Sequence, residues 1–111
     1  MDPSAADRDL IERVLSERAR IPFSYEPEVR LETVFDRAND RYLIMLVGWN
    51  DRHRVHGCLV HVDLIDGRFW VQRDGTERGI PRDLMEQGLP RERIVMAFRR
   101  DEFDQVAAPA A

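Results

Sequence analysis

The chain has 111 residues, 43% apolar and 34% charged, with a formal net charge of −4. That is enough chain for one hydrophobic core without disulfides or metals, and the acidity excludes a general nucleic-acid coat, which needs a basic excess. The single cysteine, Cys58, excludes an internal disulfide and a cysteine-pair zinc site, while the longest apolar run, Tyr42 to Val47, falls far short of the ~20 residues of a membrane helix.

Leu10, Ile11, Val14, Leu15 and Ala19 recur at three-to-four spacing, which predicts a helix over 7–19 with Ser4 or Asp7 at its N-cap. Pro22 stops it by Ile21. In the connector to Pro27, Phe23 and Tyr25 are expected over the core. The period then changes to two. Val29 to Asp36 reads as a strand, and Arg37 to Asp40 as a turn. Arg41 to Trp49 reads as a second strand whose two faces, Tyr42/Ile44/Leu46 and Leu43/Met45/Val47, are both apolar, so something must cover each. Arg54 to Ile65 is a third strand, with His56, Cys58, Val60 and Val62 on one side and Leu59, His61 and Asp63 on the other. Asp66-Gly67 signals a type I′ hairpin into a fourth strand, Arg68 to Asp74.

Further on, Pro81 begins a second helix with Leu84 and Met85 inward, and Gly88 ends it. Arg91 to Arg93 forms one helical turn before a short fifth strand, Ile94 to Phe98. The expected class is α+β: an N-terminal helix, a four-stranded antiparallel meander, a second helix and a short C-terminal strand. One domain spans 1–104, and 105–111 form a disordered tail. Two helices are too few for both faces of the sheet, so bare apolar surface around Leu43, Met45, Val47 and Leu59 predicts self-association or a partner. The acidic N-terminal stretch with Asp2, Asp7 and Asp9 lacks a signal peptide, and a cytoplasmic location is expected.

All 17 basic residues are arginine. Schiff-base chemistry and a P-loop lysine are thereby excluded. His61 and Asp63 share a strand face and form a structural pair, or a weak metal candidate if Asp74 or His56 joins them. The sequence Gln72-Arg73-Asp74 lacks the lysine of the metal-dependent nuclease motif. Cys58, in apolar surroundings, should have a raised pKa and be inert. Ser16 and Ser24 have no histidine nearby in sequence. Gly75 to Gly79 has neither phosphate-loop spacing and reads as a connector in which Thr76 or Glu77 bonds local amides. No catalytic residue, metal or cofactor is expected. The cluster of Arg52, His53, Arg54 and His56, with Trp49, Trp70, Arg73 and Arg78 placed nearby, suits either phosphate or carboxylate through its arginine forks. The acidic neighbours Asp51, Asp74 and Glu77 favour salt-bridged structure first, then a protein interface, over nucleic-acid contact. Trp49, Arg52, Arg54, Trp70 and Arg73 are the candidate partner-binding residues.

The stretch Asp40-Arg41-Tyr42-Leu43, then Val47-Gly48-Trp49, Arg54-Val55-His56-Gly57-Cys58, His61-Val62-Asp63 and Trp70-Val71-Gln72-Arg73-Asp74-Gly75-Thr76-Glu77, resembles the XisI family. The likeness runs from about Leu10 to Phe98 and departs at Arg68, at Pro81 and after Phe98. It implies a small, self-associating α+β protein that controls excision of the fdxN element, a DNA segment removed from cyanobacterial chromosomes. It also implies a nuclease-like XisH partner and no established catalytic residues. The function expected is therefore a non-enzymatic accessory factor that binds an XisH-like protein. The alternative is a DNA-binding module using Arg52, Arg54 and Arg73, with affinity that falls steeply with salt.

Overall fold

A computed structural model of the protein describes residues 3–23 and 26–107. Helix α1, Pro3–Arg18, buries the predicted stripe of Ile11, Val14 and Leu15. It starts earlier than expected, so Asp7 lies inside it rather than at its cap, and the Asp7 carboxylate instead pairs with Arg93 at 2.6 Å. The side chains of Ser4 and Tyr25 lie outside the described residues. Beyond Arg18 the Ala19, Arg20 and Ile21 amides bond back to the last turn before Pro22. Phe23 packs on the core as expected.

Four strands follow: β1 (Val29–Asp36), β2 (Arg41–Asn50), β3 (His53–Ile65) and β4 (Arg68–Asp74). Each pairs antiparallel with the next, so the predicted meander is present. Asp66 and Gly67 both have positive φ, as a type I′ hairpin requires. Helix α2, Ile80–Glu86, has Pro81 in its first turn, and Gly88 follows its end with φ 102°. Leu84 is buried, but Met85 is exposed rather than inward. After a single 3₁₀ turn at Arg91–Arg93, β5 (Ile94–Met96) joins β4 in parallel, giving the order β1-β2-β3-β4-β5. It stops short of Phe98, which is exposed. A third helix, α3 (Arg100–Ala107), is not foreseen by the periodicity; Asp101 and Glu102 in its first turn favour its N-terminus. It runs on through Gln105, Val106 and Ala107, the start of the stretch expected to be a tail, while 108–111 lie outside the described residues.

Two bulges reset the alternation of side chains. Ile44 faces Val60 but Met45 faces Cys58, which leaves Leu59 as the extra residue in β3. In β4, His61 faces Arg73 and Val62 faces Val71, so Gln72 is the extra residue. Strict alternation puts His56 and Cys58 beside Val60. The bulge turns them to the opposite face, beside Val47 and Met45, and sends Leu59 into the core at 4% exposure.

The core therefore lies on one side of the sheet. Tyr42, Ile44, Val60, Val62, Phe69 and Val71 pack there against α1 and against Ile80 and Leu84 of α2. On the other side α3 reaches only β4 and β5: Phe103 meets Trp70 edge-on at 6.2 Å, and Val95 is buried. Over β1, β2 and β3 that side has no helix among the described residues. Leu43, Met45 and Val47 are half-buried, and Val34 and Trp49 are 48% and 47% exposed. The bare second face expected for Leu43, Met45 and Val47 is the one observed; Leu59 does not belong to it.

Candidate functional site

The open side of the sheet is an apolar stripe between two largely polar rows. Along β2 it carries Leu43, Met45, Val47 and Trp49, which face His61, Cys58, His56 and Arg54 of β3. From β1, Val34, Glu32 and Arg30 lie opposite Leu43, Met45 and Val47. Period-two alternation in both strands gathers the apolar residues, and the bulge at Leu59 brings in His56 and Cys58. Val34, absent from the predicted surface, carries a signal all the same: it is the one large apolar residue on the outward face of β1.

The five predicted partner-binding residues do not form one cluster. Trp49, Arg52 and Arg54 share the β2–β3 turn end. The Arg54 guanidinium sits 5.3 Å from the Trp49 ring centroid and donates to the Gly48 carbonyl at 3.2 Å. Arg52 is exposed in the Asp51-Arg52 turn. Arg73, midway along the sheet, donates its Nε–H to the Cys58 carbonyl at 2.7 Å. Trp70 lies at the far end, in register with Asp63, which faces Arg41. Counting along β2 from Arg41 to Trp49, at ~3.3 Å per residue, Trp70 and Trp49 stand roughly 26 Å apart. Trp70 belongs to the packing of α3. Arg78 belongs to the helical side, where it pairs with Asp83 and Glu86.

His61 and Asp63 form the expected structural pair. Their Nε2 and Oδ1 atoms are 2.7 Å apart, and Gln72 Nε2 donates to the other carboxylate oxygen at 3.3 Å. Arg41 adds an ion pair at 3.6 Å, so Asp63, 6% exposed, is satisfied by side chains and not by turn amides. Among the described residues no group of three His, Cys, Asp or Glu side chains is placed to hold a metal. Asp74, proposed as a further ligand, organises the connection to α2 instead. It accepts from the Thr76 amide and hydroxyl at 3.0 and 2.6 Å and from the Ile80 amide at 2.7 Å. Thr76 Oγ1 in turn accepts from the Gly79 amide, which makes 75–79 the plain connector expected. Burial pushes the Cys58 thiol upward, an effect that nearby Arg73 only partly opposes, and its Sγ–H donates to the Val60 carbonyl at 3.2 Å. A thiol so placed is a poor nucleophile.

A cleft of about 860 Å³ lies on the helical side, between the end of α1, the Ile21–Phe23 connector and α2. In its wall Arg78 is paired with Asp83 and Glu86, and Glu17, Arg18 and Glu77 line it as well.

The model of the XisI protein family matches residues 1–110. In three dimensions the chain is similar to a XisI-like protein from Anabaena variabilis ATCC 29413, with 29% identity and a TM-score of 0.77 over 86% of each chain. It shares its fold with the fdxN element excision controlling factor XisI from the same organism, with 22% identity, a TM-score of 0.74, and coverage of 89% of this chain and 95% of that one. No curated protein matches it.

Proposed function

The chain belongs to the XisI family, and on that premise we propose that it is a non-enzymatic controlling factor of DNA element excision that works by binding an XisH-like, nuclease-like protein through the open side of its sheet. The observation that carries this reading is the uncovered stripe of Val34, Leu43, Met45, Val47 and Trp49, an apolar surface that a lone protomer leaves in water. The fold it shares with an excision controlling factor supports the biological setting. A non-enzymatic role is supported by the state of the reactive side chains: His61 is held by Asp63, Asp74 by the α2 connection, and the Cys58 thiol is shifted away from its nucleophilic form.

Direct DNA binding has weaker support, because two of its three arginines are engaged within the protein: Arg54 with Trp49 and Gly48, and Arg73 with Cys58. Co-expression with an XisH-like protein tests the main reading. The two should co-purify, and Met45→Arg should abolish the complex while leaving the thermal melt unchanged, since Met45 is outside the core. A well-folded wild-type chain that ignores that partner at micromolar concentration, or that binds DNA alone with a steep salt dependence, would overturn it.

A further inference from the structure

The sheet has two edges, and the chain treats them differently. At one edge β5 is only Ile94–Met96, and its outward backbone groups are occupied: Arg91 donates to the Ile94 carbonyl at 2.8 Å and the Met96 amide donates to Glu102 at 3.3 Å. A short strand with bonded backbone groups is how a sheet edge is closed against pairing. The other edge, β1, runs from Val29 to Asp36 without a proline, longer than the usual strand, and its ladder partners all lie on β2. Among the described residues no side chain bonds its outer backbone. Such an edge is a template for one more strand.

We propose that this strand is β1 of a second copy, paired antiparallel about a two-fold axis at Thr33, so that two five-stranded sheets become one. The side chains select this register. Centred on Thr33, Arg30 of each copy faces Asp36 of the other, Leu31 faces Phe35, and Glu32 faces Val34. Moving the axis to Glu32 sets two glutamates against each other, and moving it to Val34 sets Glu32 against Asp36. An axis at Leu31 also places Arg30 opposite Glu32, but it leaves the second half of β1 unpaired. With the axis at Thr33, Leu31 and Phe35, both only partly buried against the core, gain apolar neighbours on the helical side. Asp36 is available as a carboxylate, because bonds from the Asn39 side chain and amide hold its pKa below the usual range. Arg30 is exposed, with a loose contact of 3.6 Å to Glu32 on its own strand. The two open faces come to lie on the same side and side by side, an arrangement independent of which partner binds them.

Sedimentation equilibrium over a dilution series tests this, with circular dichroism to verify the fold of each variant. The wild-type chain should be a dimer. Arg30→Glu and Asp36→Arg should each weaken the dimer about tenfold, since two symmetry-related attractions become repulsions. An equimolar mixture of the two variants should recover a heterodimer, because the reversed arginine and the reversed aspartate then face each other. Should Asp36→Arg disturb the turn, Asp36→Asn keeps an acceptor for the Asn39 amide and should give a smaller loss in the same direction. A monomeric wild type, a mixture that stays dissociated, or a dimer indifferent to Arg30→Glu but broken by Met45→Arg would overturn the proposal.

Discussion

Asp40 ties three parts of the chain together through its carboxylate and its backbone carbonyl. It sits at φ 56° in the turn between β1 and β2, and its carbonyl accepts from the Leu64 amide at 3.0 Å. Its side chain accepts from Arg8 of α1 at 2.7 and 3.2 Å and from the Tyr42 hydroxyl at 3.1 Å. The Arg8 guanidinium holds the Asp40 carboxyl below its ordinary 3.8, so this contribution to stability is present above that pH and lost as acid protonates the folded form. Tyr42 moves the other way. Burial first, then the adjacent carboxylate, pushes its phenol from 10.0 up to about 12. A raised acid contributes stability that is whole below pH 10 and disappears as pH climbs through about 12. Ultraviolet titration should therefore show Tyr42 ionising about two units later than a free tyrosine, together with alkaline unfolding. Tyr42→Phe should cost about 1 kcal/mol near neutrality and remove its part of the alkaline loss. Arg8→Ala should cost about 1–2 kcal/mol in urea unfolding at neutral pH and flatten the acid slope, because the Asp40 shift it causes goes with it. An alkaline melt unchanged by Tyr42→Phe would show that the phenol does not govern it.

At the scale of elements, Gly48 fixes how the chain enters the sheet. The Trp49 amide donates to the Glu28 carbonyl at 3.2 Å, and a Cβ on Gly48 would stand 2.0 Å from that same oxygen. The atoms it would meet, on Glu28 and Val29, are backbone and cannot turn aside, so Gly48→Ala should destabilise the fold by about 3 kcal/mol or more, read from the denaturation midpoint. A midpoint within experimental error of wild type would mean that the connector does not need this close approach. The elements themselves are largely legible in the sequence, because each carries a local signal: the stripe of α1 closed by Pro22, the alternation of β1, Asp66-Gly67 at the hairpin, and Pro81 and Gly88 around α2. The bulges carry none. Leu59 and Val60 are adjacent and both apolar, and either one fits a core position, so the register that chooses between them depends on β2. With it goes the face of His56 and Cys58. Helix α3 is equally silent, since Phe103 and Val106 are its only large apolar residues. Trp49 and Arg54 can be read as neighbours across a short turn. Trp70 cannot be told apart from them, because its distance comes from strand length and register rather than from sequence proximity.

Across the whole molecule, the decisive asymmetry is between the two sides of the sheet. Helices α1 and α2 close one side. Helix α3 closes part of the other with a small contact set: Phe103 on Trp70, and Glu102 on Arg91 and the Met96 amide. The two tryptophans report separately on this surface, Trp49 from the exposed stripe and Trp70 from beneath α3. In a Trp49→Phe background, Phe103→Ala should shift the emission of Trp70 to the red and lower stability by about 1–2 kcal/mol, the lesser cost expected for an aromatic still 38% exposed. The same variant separates two roles for α3. If the helix only shelters β4 and β5, binding of the partner to the β1–β3 stripe survives Phe103→Ala and is lost in Met45→Arg. Loss of binding in Phe103→Ala with the fold intact would instead move the docking surface from the bare stripe to the α3 side, because α3 packs over β4 and β5 while the stripe lies on the other side of β3, along β1 and β2.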